Sequence, residues 1–467
     1  MIPLSLAEIA AVVSGQQSDI PDPDARVTGP VVIDSRAVEP GALFVAFSGA
    51  RADGHDFAVG AVEAGAAAVL ATRPVGVPAI VVDDVTAALG ALARHLVRTL
   101  GADVVALTGS AGKTGTKDLI AQLLEHLAPT VYPAGNLNNE IGLPLTALRA
   151  DERTRHLVLE MGARGVGHIR YLAGLTPPRI GVVLNVGTAH LGEFGGREQI
   201  AEAKGELVEE LPPADDGGVA VLNADDPLVR AMGARTRARV VLFGEADEAD
   251  VRAENVFLDD SGRPGFTLHT PTGCSDVTLR LYGEHHVSNA LAAAAVAHEL
   301  GMPASEIAAA LGTAGTLSRW RMEVGERADG VTVVNDAYNA SPDSMRAALR
   351  ALAAMGRGRR TWAVLGEMAE LGDQALAEHD AVGRLAVRLN VHKLVAVGGR
   401  EAAWLDMGAK NEGSWGEESV HVSDPQAAIE LLRKELLPGD VVLVKASRSV
   451  GLERVALGLL EGEVPAR

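Results

Sequence analysis

Val104-Val105-Ala106-Leu107-Thr108-Gly109-Ser110-Ala111-Gly112-Lys113-Thr114-Gly115-Thr116-Lys117 reads as a short apolar strand, a glycine-rich turn and the approach to a helix expected over Asp118 to Leu127. Gly109 and Gly112 allow a tight turn with backbone N–H groups facing inward, and the following helix adds its positive dipole end. Lys113 can reach a terminal phosphate and the Thr114 hydroxyl can join a Mg²⁺ shell. The general phosphate-loop pattern wants a glycine where Leu107 stands, so the spacing here is the shorter G-x-x-G-K-T. Thr108 through Thr114 are therefore the candidate contacts to a nucleotide.

A chain of 467 residues exceeds one ordinary core and suggests about three domains at roughly 150 residues each. With 47% apolar and 22% charged residues it is globular. A net charge of -19 argues against a nucleic-acid partner, which needs a basic surface to displace counterions, but leaves room for a small anionic ligand in a local basic pocket. The single cysteine, Cys274, excludes an internal disulfide and a four-thiolate zinc site and fits a reducing cytoplasm. No basic leader precedes an apolar stretch at the start, and no uncharged apolar run approaches the ~20 residues that cross a bilayer. A cytoplasmic monomer acting on small molecules is expected.

The pattern alternates strands and helices throughout, so the fold class is α/β. Residues 1–100 read as a small α/β unit with strands at Val31 to Ile33, Leu43 to Phe47, Ala67 to Leu70 and Ala79 to Val82. Two polar clusters follow strands there, Asp34-Ser35-Arg36 and Asp53-Gly54-His55. Residues 101–318 carry the phosphate loop and strands at Val104 to Leu107, His156 to Glu160, Ile180 to Val186, Val219 to Leu222 and Val240 to Phe243, spaced for a mostly parallel sheet. Glu160 and Asn185 stand at strand ends, with His190 shortly after, where open α/β sheets place ligands and where a metal-nucleotide site is expected. Asn136, Asn138 and Asn139 crowd one loop, and Lys204 sits in an acidic helix over Glu198 to Leu211. Alternation after Gly244 suggests an antiparallel excursion. The pair His285-His286 lacks a third ligand at zinc spacing, and zinc is rejected there. Residues 319–467 repeat the α/β alternation, with Asp336-Ala337-Tyr338-Asn339 and Lys445-Ala446-Ser447-Arg448 following strands at Val331 to Val334 and Val441 to Val444. Two polar clusters at one sheet edge suggest a domain that closes over a ligand bound elsewhere.

Across its whole length this order of motifs resembles the Mur ligase family, which builds the peptide of bacterial cell-wall precursors. Motifs common to the family are Thr108-Gly109-Ser110-x-Gly112-Lys113-Thr114, Glu160-Met161-Gly162, Asn185 to His190 and Gly283-x-His285-x-x-x-Asn289. Asp336 to Met345, joined with Asn136 to Gly142, points to the family activity that adds a dipeptide. The Asp-Asn-Pro-x-Arg motif of the member adding the third residue is not found. The resemblance implies a small N-terminal α/β domain, a central phosphate-loop domain and a C-terminal Rossmann-like domain. It also implies ATP-dependent amide formation between UDP-N-acetylmuramoyl-tripeptide and D-Ala-D-Ala through an acyl phosphate. By position, Thr114, Glu160 and His190 would hold Mg²⁺, with two ions expected. Lys204 matches the lysine that the family carbamylates with CO₂, and Lys113, Glu160, His190 and Lys204 would be catalytic. Asn289 would meet adenine, Arg321 the phosphates and Asp336 the ribose. Asp34, Ser35, Arg36, Asp53, Gly54 and His55 would hold the UDP part, and Asn136, Asn138 and Asn139 the substrate. Asn339, Ser447 and Arg448 would lie near the incoming dipeptide.

Three positions depart from the family pattern. His286 stands in place of asparagine, Ala446 replaces the glycine of Lys-Gly-Ser-Arg, and Arg319 competes with Arg321 for the phosphates. The rival readings are another ligase of the superfamily, such as a folylpolyglutamate synthase, and a nucleotide-binding scaffold without catalysis.

Overall fold

The computed structural model describes residues 1–49, 52–187, 196–414 and 417–461. The central sheet has, in spatial order, Gly273–Thr278, Pro264–Thr270, Val251–Leu258, Arg239–Gly244, Val219–Asn223, Ile180–Val183, Asp103–Thr108, His156–Glu160 and Thr130–Val131. Pairing is parallel from Thr130–Val131 through Val251–Leu258, and the first two strands in that order add antiparallel, the excursion expected after Gly244. Alternation along each strand decides what lies on either face. Val104 and Ala106 share one core with Leu157 and Leu159, whereas Val105 and Leu107 share another with Val158 and Val182. Successive strands leave Asp103–Thr108 in opposite directions, to His156–Glu160 on one side and Ile180–Val183 on the other. The turn after Thr108 thus sits at the switch point of the sheet, where a crevice opens between diverging loops.

A second sheet, in the order Gln16–Ser18, Ala79–Val81, Ala68–Ala71, Leu43–Val45, Val31–Val32, packs on the central one through a continuous core in which Leu43, Leu70, Ile80 and Leu89 join Val104 and Leu157. A third has the order Glu323–Glu326, Thr332–Asn335, Val441–Lys445, Thr361–Leu365, Lys393–Val397, Ser419–Val422, parallel except for its first strand. Among the described residues, no helix is long and apolar enough to cross a membrane.

The sequence-based bounds shift in places that matter. The helix after the phosphate loop begins at Lys113 rather than Asp118 and runs to Glu125. The strand expected to reach Val186 ends at Val183, because the chain turns there so that Asn185 can face the loop. Strands Glu323–Glu326 and Ser419–Val422 and helices Val85–Leu100 and Arg400–Glu412 are not among the elements assigned from the sequence, although Val85–Leu100 is amphipathic and capped by Asp84.

The connection into the C-terminal sheet is clamped to the phosphate-loop helix. Gln122 exchanges side-chain hydrogen bonds with the Gly315 backbone at 2.9 and 3.0 Å. Ser318 donates its N–H and hydroxyl to Asp118 at 2.9 and 3.1 Å, and buried Lys117 pairs with Asp118 at 2.5 Å. Beyond the clamp, Trp320 (φ 59°) and Met322 (φ 49°) both take the left-handed conformation that non-glycine residues seldom adopt. Further on, helices Ala375–Arg388 and Arg400–Glu412 touch backbone to backbone. A Cβ on Gly383 would come within 2.0 Å of the Leu405 carbonyl oxygen and one on Gly408 within 2.2 Å of that of Asp380.

Gly383→Ala is therefore expected to lower the stability of the C-terminal unit by about 1–3 kcal/mol or more, since backbone cannot yield as a side chain does. A urea midpoint within error of the wild type would show that the helices can separate at no cost.

Candidate active site

At the phosphate loop, Gly112 has φ 82°, and a Cβ there would lie 2.6 Å from Asn289 Oδ1, so both conformation and space demand glycine. Asn185, from the end of the adjacent strand, shapes the turn. Its Oδ1 accepts from the N–H groups of Ser110 and Ala111 at 3.0 and 2.9 Å, and its Nδ2 donates to the Ala111 carbonyl at 3.1 Å. The Ser110 and Ala111 amides are thus hydrogen-bonded to Asn185. The donors left for an anion are the amides of Lys113, Thr114 and Gly115 in the first helical turn, which have no acceptor among the described residues. Lys113 Nζ donates to the Gly109 carbonyl at 2.7 Å. Burial pulls its pKa below the ordinary lysine value, against the attraction of Glu160.

Behind the loop lies an oxygen-rich corner. Thr114 Oγ1 donates to Glu160 Oε2 at 2.9 Å and Asn138 Nδ2 to Glu160 Oε1 at 2.8 Å. Lys204, on helix Arg197–Glu209, is 5% exposed with no carboxylate at ion-pair distance among the described residues. Burial first, and then repulsion from Lys113, push its pKa well below 10.5, which favours the neutral amine. His190, expected in this corner, lies outside the described residues.

The C-terminal sheet supplies the opposite wall. Asp336 follows strand Thr332–Asn335 and Lys445 ends the neighbouring Val441–Lys445; their side chains pair at 2.6 Å. Asp336 Oδ1 also accepts from the Met322 N–H at 3.1 Å, and Lys445 donates to the Asn339 carbonyl at 2.9 Å. Arg321 stacks on Tyr338 at 4.2 Å and Arg448 on Trp320 at 4.4 Å. Tyr338 Oη hydrogen-bonds Asn136 Oδ1, joining the two walls.

Two cavities meet over the phosphate loop. One, of about 250 Å³, is bounded by Gly112, Gly115, Asn289, His286, Arg321 and Asp336 among others. The other, of about 550 Å³, takes in Lys113, Glu160, Lys204, Asn136, Asn138 and Asn139 on one side and Asn339, Ser447 and Arg448 on the other. Arg321 borders both, whereas Arg319 borders neither and is exposed. The three asparagines divide their work, since Asn139 Oδ1 accepts from the Gly142 N–H at 2.8 Å and so braces a helix start. Ala446 is accommodated because Gly366 faces it; a Cβ on Gly366 would come within 2.8 Å of the Ala446 methyl.

The N-terminal clusters border neither cavity. Asp34 caps the turn Ser35–Ala37 and pairs with exposed Arg36 at 2.7 Å, and its hydrogen bonds with Arg36 lower its pKa to about 2. Asp53 accepts from His55 Nδ1 at 2.6 Å and Arg73 at 2.9 Å, while His55 Nε2 accepts from the Thr72 N–H at 3.0 Å. Gly54 is packed on Phe47, its Cβ position 2.6 Å from the Phe47 carbonyl oxygen. The large cavity also includes Arg164, His168 and Glu370, which the sequence reading does not select. Arg164 and His168 follow the Glu160-Met161-Gly162 motif closely enough to have been found; Glu370 carries no such signal.

Family models match three stretches of this chain: the Mur ligase middle domain over residues 107–297, the Mur ligase glutamate ligase domain over 320–448 and the Mur ligase family catalytic domain over 30–96. The chain belongs to the Mur ligase family. Within this family, the UDP-N-acetylmuramoyl-tripeptide--D-alanyl-D-alanine ligase of Mycobacterium tuberculosis strain H37Rv is 52% identical over 98% of both chains. Among solved structures, MurF from Acinetobacter baumannii superposes with a TM-score of 0.87 at 32% identity, covering 98% of this chain and 99% of that one. MurF ligase from Thermotoga maritima in complex with ADP gives 0.79 at 32% identity over 92% of this chain and 96% of its own. The architecture of this Mur ligase is thus the three-domain α/β arrangement of the MurF structures.

Replacing Asn185 by alanine frees the two loop amides it holds. Affinity for ADP should fall by about 5- to 150-fold, the loss of about 1–3 kcal/mol of loop organisation, with little change in melting temperature. Calorimetric titration giving wild-type affinity would mean that the loop keeps its shape unaided.

Proposed function

We propose that this chain joins D-alanyl-D-alanine to UDP-N-acetylmuramoyl-tripeptide with cleavage of ATP, the reaction named for its relatives. The observation that carries the reading is the large cavity, in which Lys113, Glu160 and Lys204 face Asn339, Ser447 and Arg448 across the phosphate loop. ATP lies with its phosphates on the amides of Lys113 to Gly115 and its base and ribose in the smaller cavity, near Asn289 and Asp336. A substrate carboxylate attacking the γ-phosphate brings together two anions, and Lys113 and Arg321 lower that repulsion at the point where negative charge develops. The acyl phosphate so formed loses phosphate to the dipeptide amine, which approaches from the side of Ser447 and Arg448.

The oxygen donors fit Mg²⁺. Thr114 and Glu160 are hard ligands adjacent to the phosphate cradle, and magnesium sites combine few protein oxygens with phosphate and water. Bound there, Mg²⁺ supplies charge neutralisation for the phosphates. Lys204 fits carbamylation because its buried, electrostatically depressed amine is neutral enough to take CO₂, and the resulting anion would lie near Lys113. Asp34 to Arg36 and Asp53 to His55 would serve the UDP end. In support, both clusters follow parallel strands of the N-terminal sheet at their carboxyl edge.

Incubation with ATP, Mg²⁺, the UDP-tripeptide and D-Ala-D-Ala should yield the UDP-pentapeptide by mass spectrometry, and Lys113→Ala should reduce its rate by about 10²-fold or more. ATP binding without product from any tripeptide would overturn the reading.

A further inference from the structure

D-Ala-D-Ala reaches the acyl phosphate as a zwitterion whose ammonium cannot attack until it loses a proton. The large cavity is rich in cations, with Lys113, Arg164, Arg321 and Arg448 around it, and such surroundings repel an ammonium. Among its described lining residues the carboxylates are Glu160 and Glu370. Glu160 belongs to the corner behind the phosphate loop, where it is held by Thr114 and Asn138. His168, on the same side, has its Nδ1 accepting from the Arg164 N–H at 3.3 Å and its Nε2 3.6 Å from Glu140.

Glu370 differs from these in its backbone. It has φ 65°, a conformation that costs a residue with a side chain about 1–3 kcal/mol and that persists only where neighbours enforce it. The enforcement is visible. The Met368 N–H donates to Nε2 of fully buried His379 at 2.9 Å, and Nδ1 of the same ring meets the Ala375 carbonyl at 2.6 Å, so the proton resides on Nδ1. The Ala369 N–H donates to Ser447 Oγ at 2.8 Å, and the Ser447 N–H returns a bond to the Glu367 carbonyl at 2.8 Å. Strand-end loops 366–371 and 445–449 are thereby locked together, with Glu370 beside Ser447 and Arg448 in the cavity wall.

Resting on the dipeptide reading above, we propose that Glu370 binds the incoming ammonium of the dipeptide and acts as its general base. The carboxylate takes one proton from the ammonium and passes it to solvent. The freed nitrogen forms the C–N bond to the acyl carbon, the C–O bond to phosphate breaks with its electron pair, and the departing phosphate takes the second proton from nitrogen. His379 and Ser447 are positioning residues that hold Glu370 in place.

The test compares Glu370→Gln, Glu370→Asp and Glu370→Gly with wild type, using D-Ala-D-Ala and, separately, hydroxylamine, an acceptor that is already neutral near pH 7. For Glu370→Gln, kcat/KM for the dipeptide should fall about 10²–10⁴-fold, with KM for ATP and UDP-tripeptide unchanged within twofold, and the deficit should shrink as pH rises and the amine deprotonates unaided. Hydroxamate formation should match wild type, and Glu370→Asp should recover part of the dipeptide rate. Glu370→Gly suits the left-handed backbone, so its melting temperature should not drop even though coupling is lost. Dipeptide coupling within threefold of wild type in Glu370→Gln, or an equal loss with hydroxylamine, would overturn the role of Glu370. A wild type that forms hydroxamate but no dipeptide product would instead overturn the reading on which it rests.

Discussion

Lys113 and Lys204 are held near each other at the root of one crevice, and the cost of keeping two desolvated amines together shapes the site around them. Like charges in a low-dielectric pocket repel strongly, so the protein must neutralise one, pair one or await an anion. Glu160 attracts Lys113 but is itself shared between Thr114 and Asn138. Lys204 has burial and the Lys113 charge against its protonated form. What remains is a local positive field inside a chain of net charge -19. A polyanion placed between the two amines would satisfy it.

The C-terminal sheet meets this field with cations that have been made safe to bury. Lys445 is 3% exposed and burial lowers its pKa, with the paired Asp336 acting against that shift; the same carboxylate holds the Met322 amide. Arg321 and Arg448 lie on aromatic rings, which lets a guanidinium face a cavity while its hydrophobic surface is covered. These contacts converge on the short left-handed stretch around Trp320 and Met322, directly beyond the clamp on Asp118 and Gln122. The element that carries the phosphate loop therefore also anchors the start of the opposite wall.

Much of this was legible in the chain because it depends on local chemistry. Uninterrupted apolar runs at Val104 to Leu107 and Leu157 to Leu159 identify strands buried on both faces, and Gly112-Lys113-Thr114 after such a strand identifies a phosphate cradle. What resisted reading was whatever depends on a partner far away in sequence. Nothing near Asn185 says that it captures the Ser110 and Ala111 amides, and the acidic helix around Lys204 conceals a buried amine because neighbours in sequence point to other faces. The asparagine loop reads as a turn, yet Asn136, Asn138 and Asn139 separately join a tyrosine, a carboxylate and a helix start.

By itself, then, the sequence determined the class of chemistry and the order of the parts: strand periodicity, glycine placement and the residue types at strand ends are all short-range properties. The tertiary structure alone decided which of those residues share a cavity. Asp53 and His55 turn out to brace each other and Thr72 away from the phosphate loop, while Glu370, unremarked in its own segment, is forced into the cavity wall by His379 and Ser447. The reason is physical: burial, pKa displacement and backbone strain arise from contacts between segments, and none of these exists until the sheets have packed.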